Sequence, residues 1–116
     1  MSVFRFCVSQ PHTDKEAFKL LRALPEVQIS ASAIMQSLRQ GIPIQVVLDY
    51  QEDLQEMDLV QWSDKVRQTY RTLSNEFDVI ELQFAPALGD EWETVSPEAF
   101  ENLLQSAINY DEQQYD

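Results

Sequence analysis

The sequence predicts an α+β domain, or a small α/β one: a three-stranded sheet in the order β-α-α-β-α-β, with a C-terminal helix covering the second face. Three observations lead there. Ile42, Ile44, Val46, Leu48 and Tyr50 fall on alternate positions, and strand side chains alternate between faces, so this segment is expected at the centre of the sheet. Val3 to Val8 and Phe77 to Phe84 alternate in the same way. Between and after these segments, apolar residues recur at three- and four-residue spacing, which puts them on one face of a helix.

The elements follow in order. The first strand sets Phe4, Phe6 and Val8 on one face and Val3, Arg5 and Cys7 on the other. Thr13 and Glu16 have the spacing of a capping box, and Ala17, Leu20, Leu21 and Leu24 form the stripe of a first helix that Pro25 closes. Ser30 caps a second helix carrying Ala31, Ile34, Met35 and Leu38, and Gly41 supplies its left-handed stop. After the second strand, Gln51 to Met57 reads as a loop. Asp58 and Gln61 suggest another capping box, with Met57 and Trp62 as a hydrophobic staple, and a long helix bearing Leu59, Trp62, Val66, Tyr70 and Leu73. A hairpin strand over Leu54 to Trp62 is the alternative. Ala85 to Val95 reads as a loop, and Ser96-Pro97 opens a last helix with the stripe Phe100, Leu103, Leu104, Ala107 and Ile108.

Residues 1–108 of the 116 form one expected domain, and Asn109 to Asp116 is an acidic tail polar enough to fray. No window approaches the ~18 consecutive apolar residues of a membrane span, and no signal-peptide pattern opens the chain, so a cytoplasmic home is expected. Cys7 is the only cysteine and sits among apolar neighbours, as a small buried residue would. Val3, Cys7, Val47, Phe77 and Val79 would leave the sheet's second face apolar. The last helix is expected to fold over it, or to be covered in a partner subunit.

The run Phe18-Lys19-Leu20-Leu21-Arg22, the second helix, the strand after Gly41 and the closing Val79-Ile80-Glu81-Leu82 give the chain up to Phe84 an element order. That order resembles the C-terminal domain of the bacterial ribosomal stalk protein, a fold shared with the adaptor of the Clp protease. The stalk domain's Gly- and Lys-rich motif is replaced here by Val27-Gln28-Ile29-Ser30-Ala31-Ser32, so its factor-binding role does not carry over. The barstar family of nuclease inhibitors is similar in element order, without its signature. Fold alone does not fix function.

Catalytic chemistry finds little to work with. Gly41 and Gly89 are the only glycines, so no phosphate loop or dinucleotide fingerprint can be written. His12 is the only histidine, which excludes two-histidine metal motifs and leaves one base on a Pro-flanked turn. Asp49, Glu52, Asp53, Glu56 and Asp58 lack the alternation and central Gly of a calcium loop. No catalytic residue, metal site or cofactor is therefore assigned.

Charge says more. The formal net charge is -12. Through Leu48, five Lys/Arg oppose three acids; from Asp49 onward, three oppose seventeen. Such a field repels nucleic-acid phosphates and membrane anions and attracts basic proteins. If the strands run parallel, the loops after the second and third strands leave one end of the sheet. They would place Asp49, Glu52, Asp53, Asp90, Glu91 and Glu93 along one edge with Trp92 among them, an aromatic anchor rimmed by charge. The competing reading buries Trp92 under the last helix and leaves the acids as solvated loop. The sequence thus points to a non-catalytic domain docking on a basic partner, of adaptor, immunity or inhibitor type. A structural protein dimerising through the last helix and a small enzyme with a carboxylate site are the alternatives.

Overall fold

Strand β1 (Val3–Pro11) runs through the middle of a four-stranded antiparallel sheet, between β2 (Ile44–Asp49) and β3 (Phe77–Ala85), and a short β4 (Glu93–Val95) extends the sheet beyond β3. The helices are α1 (Asp14–Ala23), α2 (Ala31–Gln40), the single turn α3 (Tyr50–Asp53), α4 (Leu59–Glu76) and α5 (Pro97–Gln114). This computed structural model describes residues 3–53, 57–87 and 89–114. The α+β class read from the sequence is the observed one.

The strand placed at the centre by its apolar alternation is instead an outer strand. Ile42 still belongs to the closing turn of α2: Gly41 takes the left-handed conformation, and the Ile42 N–H reaches the Ser37 carbonyl at 3.0 Å. Ile42 is consequently 49% exposed. Tyr50 already starts α3, because the Asp49 carboxylate accepts from the Gln51 N–H at 3.0 Å. The central position falls to β1, which pairs along both edges, Phe4 with Leu48 and Phe84, Phe6 with Val46 and Leu82.

Phe4, Phe6 and Val8 face the helices together with Ile44, Val46, Leu48 and Leu82, all buried. Trp62, Val66 and Leu73 of α4, Leu21 of α1 and Ile34 of α2 close over them. The last helix joins this same core. The Phe100 ring lies 5.1 Å from Phe4, 5.8 Å from Phe6 and 5.5 Å from Tyr70, edge-on to the first two, and Leu104 is fully buried. Its expected place over the second face is thus corrected. The reason lies in that face, which is less apolar than the sequence suggested. Phe77 is drawn into the main core, Val3 is buried at the sheet's end, Cys7 and Val47 are only half-buried, and the side chain of Val79 lies outside the described ones.

Caps explain most helix boundaries. The Asp58 carboxylate accepts from the Gln61 N–H at 2.8 Å and the Gln61 side chain accepts from the Asp58 N–H at 3.0 Å, a complete capping box. It starts α4 as the longer-helix reading expects; Leu59 to Trp62 is helical, and residues 54–56 of the alternative hairpin lie outside the described residues. Ser30 and Ser96 accept from the Ala33 and Ala99 N–H groups. The box expected at Thr13 is absent, since the Thr13 side chain makes no capping hydrogen bond. Further differences are α3, which takes Tyr50 from the expected strand and Gln51 to Asp53 from the expected loop; β4, inside a segment read as a loop; and α5, which continues through Gln114 beyond the boundary drawn at Ile108.

Two buried polar atoms interrupt the core. Trp62 Nε1 and Ser63 Oγ have no hydrogen-bond partner among the described residues. Elsewhere on α4 the hydroxyls of Thr69, Thr72 and Ser74 bond back to carbonyls one turn earlier, each at 2.8 Å. An unpaired buried hydroxyl costs about 1–3 kcal/mol, and Ala is the better helix former. Ser63→Ala is therefore expected to stabilise the chain by about 1 kcal/mol, read as a higher urea midpoint at unchanged slope. Phe100→Ala is expected to cost about 3–5 kcal/mol. A loss below about 1 kcal/mol would be inconsistent with α5 closing the core.

Candidate interaction surface

Strand direction decides which acids meet. β2 and β3 are both antiparallel to β1, so they run alike, and their last residues, Asp49 and Ala85, flank Val3 at one end of the sheet. The parallel relation on which the acidic edge depends is met across β1 rather than by direct pairing. Asp49 does not contribute exposed charge there: it is buried, with its carboxylate engaged by the Gln51 N–H. Glu52 and Asp53 continue from it in α3, and their side chains lie outside the described ones. Asp90 and Glu91 are exposed on the β3–β4 connection. Glu93 is exposed as well; it pairs with Phe84 and so takes the helix side of the sheet, opposite in sense to its neighbours Trp92 and Thr94.

Trp92 is half-buried and lies on the sheet face away from α5. The Arg5 guanidinium carbon sits 4.3 Å from its ring centroid, a cation–π stack. Reading Trp92 as core beneath the last helix is therefore corrected. Below the ring, Arg5 Nε donates to Gln83 Oε1 at 2.5 Å, and Cys7 Sγ donates weakly to the same oxygen at 3.5 Å. Gln83 Nε2 in turn donates to Glu81 Oε1 at 3.4 Å, and the Thr94 hydroxyl reaches that oxygen at 3.0 Å. These side chains come from β1, β3 and β4 and share one face because the register sets Arg5 opposite Gln83 and Gln83 opposite Thr94. Sequence reasoning passed over Arg5, Glu81, Gln83 and Thr94, since nothing before the register is known brings residues so distant together.

Burial pushes the Cys7 thiol up from its ordinary pKa, Arg5 nearby pulls it down and Glu81 pushes it up again. No group of three or more His, Cys, Asp or Glu among the described residues is placed to hold a metal ion. Clefts are shallow. One of about 310 Å³ lies between Pro25 and α4, where Glu26 Oε1 pairs with Lys65 Nζ at 2.7 Å, and it brings no second carboxylate to form an acid–base pair. His12 pairs with the Asp78 carboxylate at the far end of β1, away from the acidic connections.

Charge is more polarised than the half-chain tally suggests. From Phe77 to Asp116 there are ten acids and no Lys, Arg or His. The cations nearest in sequence, Lys65, Arg67 and Arg71, belong to α4, where Lys65 pairs with Glu26 and Arg67 with Asp64 and Glu101. The β3–β4–α5 unit therefore carries an excess of negative charge, offset locally where Arg67 pairs with Glu101 and where Arg5 lies over Trp92. Compared with protein-family models, curated proteins and solved structures, the chain finds no match. No helix among the described residues is long and apolar enough to cross a membrane.

The Cys7 surroundings give a direct check. Because the thiol is raised, its thiolate forms only above the pH at which a free thiol ionises, so alkylation by iodoacetamide should rise with pH along a curve displaced to the alkaline side. Arg5→Gln removes a charge that favours the thiolate and should displace the curve further; Glu81→Gln should move it back. Identical profiles for all three proteins would contradict the network.

Proposed function

We propose that this chain is a non-catalytic binding domain whose anionic half docks on a basic protein, in the manner of an adaptor, an immunity protein or an inhibitor. The observation that carries the reading is the common exit of two acidic connections at one end of the sheet, with Trp92 half-exposed between Asp90–Glu91 and Glu93. An aromatic ring held in place by Arg5 offers area at little ordering cost, and the acidic excess of the chain's second half steers a cationic surface toward it. The same field opposes nucleic-acid backbones and anionic membranes. A cytoplasmic setting fits the free thiol of Cys7. Assembly through the α5 stripe has less to support it, because Phe100, Leu104 and Ile108 are buried within the chain's own core.

The test is capture from native extract at low salt followed by a salt gradient, repeated with the triple variant Asp90→Asn, Glu91→Gln, Glu93→Gln. A basic protein should be retained by the parent chain and released at moderate salt, with an association rate that falls at least about tenfold from low to physiological ionic strength. The variant should release it earlier. Affinity indifferent to both salt and substitution would refute the proposal.

A further inference from the structure

The two outer strands of the sheet are finished differently. Along β2, the Val47 N–H points out of the sheet toward the Glu26 carbonyl at 3.5 Å, so the α1–α2 connection lies against that edge. Along β4, β3 occupies one edge, and among the described residues no strand pairs with the other. A groove of about 320 Å³ runs beside β4 with α5 as its opposite wall. Phe84, Val95, Ala99 and Leu103 supply apolar surface that is only partly buried, while Glu93, Asn102 and Ser106 form its exposed rim.

We propose that this groove receives an extended, cationic segment of the partner, which adds to β4 as a further strand. The inference rests on the reading of the domain as a binder of a basic protein, and it specifies the element that is bound. Backbone pairing with an open strand edge supplies affinity, and side chains at every second position supply selectivity. Glu93 and Val95 are two residues apart and therefore share the groove side of the sheet. An incoming strand matches them with a Lys or Arg and an apolar residue at the same two-residue spacing. Glu93 is the one charged side chain among the residues that line the groove, and it sets the sign of the occupant.

The probe is a short synthetic peptide in which lysine and valine alternate on one side of the strand, with a control in which serine replaces each valine at equal charge. By amide NMR at low salt, shifts from the valine peptide should centre on Glu93 to Val95 and on Ala99 to Ser106. The valine peptide should bind about tenfold more tightly than the control, the worth of about one buried aliphatic side chain. Asn102→Arg with Ser106→Arg, both at exposed helix positions that leave folding intact, should weaken it by about tenfold or more. Equal binding of the two peptides, shifts confined to Asp90 to Trp92, or indifference to the double variant each overturn the groove assignment while leaving the basic-partner reading in place. Absence of binding by either peptide overturns both.

Discussion

The packing of Phe100 against Phe4 and Phe6 is the contact from which the rest of the architecture follows. It ties the last helix to the middle strand, so that α1, α2, α4 and α5 all lie on one side of the sheet around a common apolar cluster. Had the α5 stripe closed on the opposite face, Arg5, Glu81 and Gln83 would have been buried beneath it at a desolvation cost that their mutual hydrogen bonds would have had to offset. With α5 elsewhere, these groups stay at a wet surface. The stack of Trp92 on Arg5 is then worth about 0.5–1 kcal/mol and chiefly fixes where the ring stands.

Strand direction connects this core to the charge pattern. A central strand flanked by two antiparallel neighbours makes those neighbours run alike, and connections far apart in sequence therefore emerge together. The acids on them do not all act alike. Asp49 spends its carboxylate on the backbone of α3, whereas Asp90, Glu91 and Glu93 remain exposed. Acidic charge is accordingly weighted toward β3, β4 and α5, while α1 and α2 carry Lys15, Lys19, Arg22 and Arg39. Charge is thus unevenly distributed along the chain, and the proposed cationic partner would meet that asymmetry on approach.

Much of this was legible in the sequence. Period-two and helical spacing located β1, β2, β3 and the four long helices, because each keeps one face buried over enough residues for the pattern to register. The boxes at Asp58 and the caps at Ser30, Ser96 and Gly41 were readable because capping is local chemistry. Thr13 shows the limit of that logic: the spacing is suitable, yet its side chain makes no capping hydrogen bond. Sheet order was misread because alternation reports that a strand is half-buried, and Ile42 and Tyr50 lengthened the pattern of an outer strand with residues that belong to its turns. β4 is too short, and too acidic at its start, to give a period. Of the candidate site, the acids and Trp92 were visible as composition, while Arg5 beneath Trp92 and the groove wall on α5 exist only once register and helix placement are given.

The unequal finish of the sheet's two sides bears on stoichiometry. A strand that joined β4 would meet a chain whose far side, at β2, is contacted at Val47 by the Glu26 carbonyl. Growth from one unit to the next would need two receptive sides, and along β2 the Glu26 carbonyl obstructs the second at Val47. The proposed union through β4 would accordingly favour pairs over the open-ended stacking from which fibrils are made.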